Sequence, residues 1–213
     1  DKIIGKLLLG DESASKADFT GDTLLVRDII IKYIYEGILS YDSCRKGFKI
    51  AGLERDVDCR YPISNGRFVN LSGRADRIDE LSDGTMQIID YKSGNRPHLE
   101  CGGIQSLFIG APHERISNIF QTLLYSMMLQ REYGTESCPS LYYASRMLSD
   151  EYSPLIVDKS TDRVIERYSD VAEVFEQELN SVLEELFDPT IAFSQVEDED
   201  ACKYCDYKKI CRR

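Results

Sequence analysis

Two carboxylates and an ammonium carry the chemistry this sequence can offer: Asp76, in Gly73-Arg74-Ala75-Asp76, and the pair Asp90 and Lys92, in Asp90-Tyr91-Lys92-Ser93-Gly94. Side chains on a strand alternate between faces, so Asp90 and Lys92 leave the chain on one side and Tyr91 on the other. If the fold brings Asp76 to that side as well, the two carboxylates repel each other unless a cation lies between them. Mg²⁺ or Mn²⁺ suits such a pair, because these ions prefer carboxylate oxygens, keep several waters and bridge to phosphate. The Tyr91 carbonyl is a further candidate ligand. An ion held there would lower the pKa of a bound water and neutralise charge on a phosphodiester. Lys92 would orient that water or stabilise the charge. The chemistry implied is phosphodiester hydrolysis.

The elements that must position these groups are readable in outline. Phe68-Val69-Asn70-Leu71, leading into Gly73, and Met86-Gln87-Ile88-Ile89, leading into Asp90, are apolar-rich runs that predict strands. Ser82-Asp83-Gly84-Thr85 between them carries an Asp-Gly turn signal, so the two runs form an antiparallel hairpin. Upstream, the spacing of Leu25, Ile29, Ile30, Tyr33, Ile34 and Ile38 predicts a packing helix over 23–39, weakened by Gly37 in its last turn. A short helix is expected at Lys2 to Leu9 and a strand around Leu53 to Cys59, with Glu54 at its start. Glu114 to Tyr133 has the strongest helical stripe, and it sets Gln121 and Tyr125 side by side at i, i+4. Strands follow at Ser140 to Met147 and Pro154 to Asp158, then a helix over Ser169 to Phe187 that Pro189 stops. Between hairpin and long helix, His98 to Ser117 holds Gly102, Gly103, Gly110 and Pro112 and reads as a loop able to fold over a substrate strand. His98 and His113, 15 positions apart, read as solvated loop residues. The fold class expected is α/β, a mixed β-sheet flanked by α-helices.

Alone, an Asp and a Lys at i, i+2 on a strand are ordinary surface chemistry. The ordered set is more specific. Glu54, Gly73 to Asp76, Asp90-Tyr91-Lys92-Ser93-Gly94 and Gln121 to Tyr125 together resemble the RecB-type branch of the PD-(D/E)XK nuclease superfamily, over about residues 50 to 213. The resemblance implies a restriction-endonuclease-like fold and a metal-dependent DNA nuclease, exonuclease in preference to endonuclease. It implies a place in a helicase–nuclease system for DNA repair or recombination, with DNA and a helicase domain or subunit as partners. It assigns Glu54 to support of the metal site and turns Gln121 and Tyr125 toward the active site, to contact DNA or orient catalytic groups.

The seven cysteines are an odd number in a chain that is not small, and three lie together at the C-terminus, so metal ligation is a better reading than disulfides. Cys202, Cys205 and Cys211 have C-x₂-C-x₅-C spacing, a metal or Fe–S signal. In the AddB-like members that the chain resembles, one upstream cysteine joins three near the C-terminus around a [4Fe–4S] cluster. Cys44, Cys59, Cys101 and Cys138 are the candidates for that fourth ligand. None has the family's upstream setting, a C-P dipeptide near an aromatic in an N-terminal segment, and the family's frequent helical histidine is missing too. Both fit a C-terminal fragment of a longer protein. The expected organisation is a nuclease domain over 1–189, with 1–48 a helical lead-in, and a cysteine segment over 190–213 packed on it.

Composition bounds the alternatives. With 42% hydrophobic and 30% charged residues, the chain reads as globular, and a cytoplasmic location is expected. No apolar run approaches the ~18 residues of a membrane span, and no stretch has the layout of a signal peptide. A net charge of −11 argues against a protein that coats DNA nonspecifically. Arg74, Arg77, Lys92 and Arg96, around the hairpin, are the expected phosphate contacts. A catalytically silent nuclease-like module with an Fe–S cluster, binding DNA or a partner, is the alternative. A zinc-binding interaction domain would explain the C-terminal cysteines and leave the carboxylates and Gln121-Tyr125 without a role.

Overall fold

The apolar spacing at the N-terminus folds as helices: α1 (Lys2–Leu9), α2 (Gly21–Lys32) and the short α3 (Ser40–Cys44), the last two joined by a π-helical stretch at Tyr33–Leu39. Next come β1 (Phe48–Pro62), β2 (Phe68–Leu81), β3 (Met86–Lys92) and the two-residue β4 (Glu100–Cys101). Helix α4 (Ser117–Tyr133), strands β5 (Ser137–Tyr143), β6 (Ile156–Asp158) and β7 (Arg163–Ile165), and helix α5 (Ala172–Leu186) complete the order. The structure, a computed structural model, describes residues 1–94, 98–109, 116–196, 199–203 and 205–213. Gly110, Pro112, His113, Glu114 and Arg96, read above from the sequence, lie outside the described residues.

Four strands form one sheet in the order β1-β2-β3-β5, and β4-β6-β7 form a second. β1 with β2 and β2 with β3 are antiparallel. Along β3 and β5 the backbone bonds climb together: Met86 N donates to the Glu136 carbonyl at 2.9 Å, and Ala144 N donates to the Lys92 carbonyl at 3.1 Å. These two strands therefore run parallel, with α4 as the crossover that parallel pairing requires. The result is the expected mixed sheet flanked by helices.

The chain packs as two compact units. One comprises Asp1–Lys46, Tyr91–Pro97 and Tyr142–Ser153, the other Gly47–Asp90, His98–Leu141 and Pro154–Arg213. In the first, Ile4, Ala14 and Phe19 form a small core against Leu8, Leu24, Ile30 and Ile31. Gly37 does not merely weaken the helix it sits in. A Cβ there would lie 3.3 Å from the Ala144 carbonyl oxygen, so the wide π-helical turn and the missing side chain together admit that backbone. Tyr142 stacks edge-on with Tyr41 and Tyr91, ring centroids 5.4 and 5.7 Å away.

In the second unit, strand alternation decides what is buried. Val57 and Tyr61 of β1 and Ala75 of β2 are almost fully buried, whereas Arg60, Phe68, Asn70, Ser72 and Arg74, on the opposite face of the ribbon, are exposed. Helix α4 covers the buried face. The Arg131 guanidinium lies 4.7 Å from the Tyr61 ring centroid, and Arg55 lies 5.0 Å from that of Tyr133. Arg131 also pairs with Glu176 of α5. Phe108, Phe120 and Phe175 meet with centroids 5.3 to 5.6 Å apart. Burying an apolar side chain such as Phe175, Ile119 or Leu123 contributes about 1.5–3 kcal/mol.

β1 extends well beyond the expected Leu53 to Cys59, because its pairing with β2 runs from Phe48↔Leu81 to Pro62↔Phe68. The tip between them is fastened down. Arg67 Nη1 donates to the Phe187 carbonyl at 3.1 Å, at the C-terminal end of α5, where a cation is favoured. The hydroxyl and backbone N–H of Ser64 both donate to Glu184, and these bonds, the hydroxyl's foremost, hold the Glu184 carboxyl below its usual range. A depressed carboxyl stabilises the fold above its unfolded-state pKa and loses that contribution as pH falls through the folded value. β4 and β7 were not foreseen, since two- and three-residue strands leave no period to read.

One expectation is corrected. Arg77 is not a surface cation available to phosphate: it is 3% exposed, and its Nε and Nη2 donate to Asp79 Oδ1 and Oδ2 at 2.7 and 2.8 Å. Asp79 itself is 0% exposed, so each charge is kept inside by the other. Asp79→Ala is expected to cost about 3–5 kcal/mol in urea unfolding, because it strands the guanidinium, whereas the double change Arg77→Met, Asp79→Leu should cost far less. Equal losses in the two proteins would refute this account.

Candidate active site

The register of β2 against β3 sets Arg77 opposite Ile89, Ile78 opposite Ile88, Asp79 opposite Gln87 and Glu80 opposite Met86. Carried one step beyond Arg77↔Ile89, it sets Asp76 opposite Asp90. Directly opposed residues of an antiparallel pair share a face, with Cβ atoms about 4.5–5.5 Å apart. Ile78 and Ile88, the next pair on that face, are both 0% exposed; Asp90 is 4% exposed and Asp76 half-buried. Lys92 follows two residues on along β3, on the face of Asp90 by alternation.

Glu54 extends the same row. Leu53↔Arg77 and Arg55↔Ala75 bracket it, so the β1–β2 register brings Glu54 level with Asp76. A one-residue irregularity between Ile50 and Gly52 makes this possible: pairing before it would have brought Leu53 level with Asp76 instead. Glu54 is exposed and has φ +46°, a left-handed conformation that costs a non-glycine residue about 1–2 kcal/mol. It lies near Arg74, whose guanidinium is held protonated first by its hydrogen bond to Asp56 and last, in small part, by the Glu54 charge.

Gln121 and Tyr125 form a pair of their own, Gln121 Nε2 donating to Tyr125 Oη at 2.9 Å. The Tyr125 ring lies against Gly73, where a Cβ would stand 2.3 Å from ring Cε1. Gly73 is glycine for this reason: two sequence motifs, Gly73 to Asp76 and Gln121 to Tyr125, meet in a single contact. That contact lies on the α4-covered face of β2, whereas Asp76, three residues on, points to the other face by alternation. Arg74, exposed, is bound to Asp56 at 2.8 Å.

Two carboxylates suit Mg²⁺ or Mn²⁺, which take one or two protein carboxylates and fill the remaining positions with water and substrate oxygens. Among the described residues no three His, Cys, Asp or Glu side chains gather as a set able to hold a metal ion. For Mg²⁺ a pair suffices, but a [4Fe–4S] cluster needs four thiolates. As placed, Cys202, Cys205 and Cys211 are half-buried free thiols that do not fit a cluster. Of the possible fourth ligands, Cys59 and Cys101 have thiols pushed up by burial, which disfavours the thiolate a metal needs. Cys44 is exposed, and Cys138 is buried 3.8 Å from the Ser140 hydroxyl.

Gly73→Ala is expected to lower stability by about 1–3 kcal/mol, since the ring cannot retreat without leaving the core, and Tyr125→Ala in the same protein should recover part of that loss. Glu54→Gly is expected to hold or raise stability, by up to about 1–2 kcal/mol, because glycine adopts its φ freely. Denaturant midpoints measure both. A Gly73→Ala protein as stable as the wild type, or a destabilised Glu54→Gly, would contradict the geometry.

Comparison with known proteins gives the family. A family model described as the PD-(D/E)XK nuclease superfamily matches residues 8–212. No curated protein matches the chain. Among solved structures, a repair endonuclease from Pyrococcus abyssi is 20% identical over 59% of this chain, with a TM-score of 0.26, and the chain spans 43% of that structure's length. The protein SSO0001 is 16% identical over 89% of this chain and 73% of its own, with a TM-score of 0.35. The match to the family model covers nearly the whole sequence, and the chain belongs to the PD-(D/E)XK nuclease superfamily.

Proposed function

We propose that the chain is a divalent-metal-dependent deoxyribonuclease of the RecB/AddB type, working with a helicase domain or subunit on DNA ends in repair or recombination, in the cytoplasm. The observation that supports this reading is the β2–β3 register, whose pair Arg77↔Ile89 stands one step short of Asp76 and Asp90, with Lys92 two residues beyond Asp90 on the same strand. Asp76, Asp90 and the Tyr91 carbonyl would hold Mg²⁺ or Mn²⁺, which would supply an activated water and neutralise charge on the scissile phosphate. The Lys92 ammonium stabilises the charge that develops on the phosphate oxygens. Glu54, at the edge of the row, supports the carboxylate pair. Gln121 and Tyr125 act as positioning residues, Gln121 holding the Tyr125 hydroxyl and the Tyr125 ring meeting β2 at Gly73, three residues before Asp76. Residues 1–189 make the nuclease domain and 190–213 pack on it. No step runs through the C-terminal cysteines.

The test is cleavage of linear and circular, single- and double-stranded DNA with Mg²⁺ or Mn²⁺ and with chelator. Exonuclease action is expected to spare circles. Asp90→Asn and Lys92→Ala should keep the fold and each lose ~10²-fold or more in rate. Full cleavage in chelator, or wild-type cleavage by Lys92→Ala, would overturn the reading.

A further inference from the structure

We infer that the exposed face of the β1–β2 ribbon is a track for single-stranded DNA, with Arg60 and Phe68 as its stacking platform; the inference rests on the nuclease reading above and names its substrate. Alternation puts Phe68, Asn70, Ser72 and Arg74 of β2 on the face that carries Asp76. Across the ladder stand Pro62, Arg60, Asp58 and Asp56 of β1, opposite Phe68, Asn70, Ser72 and Arg74 in turn, so the face leads without interruption into the carboxylate row. At its far end Phe68 is 49% exposed, and the Arg60 guanidinium lies 3.9 Å from its ring centroid. An exposed ring with a guanidinium over it offers an aromatic and a cationic surface for a nucleobase, and only an unpaired strand presents base faces to such a platform. The platform is fixed before any ligand arrives, since Ser64 and Arg67 tie the adjoining tip to Glu184 and Phe187.

Charge points to stacking as the main attraction. Asp56 and Asp58 share this face and Arg74 is bound to Asp56, so few cations remain for phosphates. The affinity should therefore depend only weakly on salt. The eight residue-to-residue steps from Phe68 to Asp76 span about 26 Å at ~3.3 Å per step, room for at most about eight stacked bases at ~3.4 Å each.

The experiment measures fluorescence anisotropy of labelled single-stranded oligonucleotides of about twelve and about four bases, and of a duplex of about twelve base pairs, with Ca²⁺ in place of Mg²⁺. Wild type, Phe68→Ala and Arg60→Ala are compared, with circular dichroism to confirm folding. Both variants are expected to bind the long single strand about tenfold more weakly, and to bind the short strand and the duplex as the wild type does. Cleavage by the wild type with Mg²⁺ is read in parallel. If the wild type cleaves but the two variants bind the long strand with wild-type affinity, the track is refuted and the nuclease reading stands, leaving this face to a protein partner. If the variants lose binding but the wild type cleaves nothing, the track stands and the nuclease reading falls. Equal losses on single strand and duplex would also refute the track.

Discussion

The pairing of β2 with β3 is the constraint on which the rest depends, because side-chain direction has a period of two and a slip of one residue would turn Asp90 away from Asp76. Several interactions hold that register. Ile78 and Ile88 are opposed and fully buried, so a slip would expose one of them. Gln87 Nε2 donates to the Ser140 hydroxyl at 2.7 Å, pinning β3 to β5. At the turn, Asp83 Oδ1 accepts from Thr85 N at 3.0 Å and Gly84 takes φ +84°, which closes the hairpin at one length. Core and turn thus fix the spacing of two carboxylates that would otherwise repel each other.

The ribbon divides its labour by face. On one side Tyr125, Arg131 and Tyr133 press α4 onto β1 and β2, and the charged groups there are paired or stacked, as with Arg131 and Glu176. On the other side Glu54 takes a left-handed conformation, and the two ladders carry its strand and β3 toward Asp76, where like charges would lie close. Strain and repulsion of this kind persist only where the surrounding packing over-determines the backbone. Here Gly73 beneath Tyr125 and the buried Arg77–Asp79 pair lie on either side of Asp76 in the sequence, one contact before it and one after.

Much of this was legible in the sequence, for identifiable reasons. The Asp-Gly turn between two apolar runs predicts the hairpin, and alternation alone puts Asp90 and Lys92 together. The broad stripe of α4 predicts the helix, and the motifs in order give the family. Burial of charge was not legible: Arg77 and Asp79 look like surface residues because composition cannot show that two charges satisfy each other inside. Nor does anything in the residue types at 50–54 announce an irregular ladder and a left-handed glutamate, both of which arise from pairing with a distant strand. The C-terminal cysteines show the reverse case, a conspicuous local pattern that is not gathered into a metal-holding set among the described residues.

The irregularity between Ile50 and Gly52 also governs how the ribbon can change in length. Residues added to or removed from both strands in matched pairs around the tip would lengthen or shorten the ribbon and leave the carboxylate row untouched. A single residue gained or lost between Gly52 and the tip would swap inside for outside along the remainder of that strand. Near Ile50 the ladder has already absorbed one odd residue, so the parity of β1 is set there once. The ribbon is therefore free to vary by twos at its outer end and closed to variation by ones near the row.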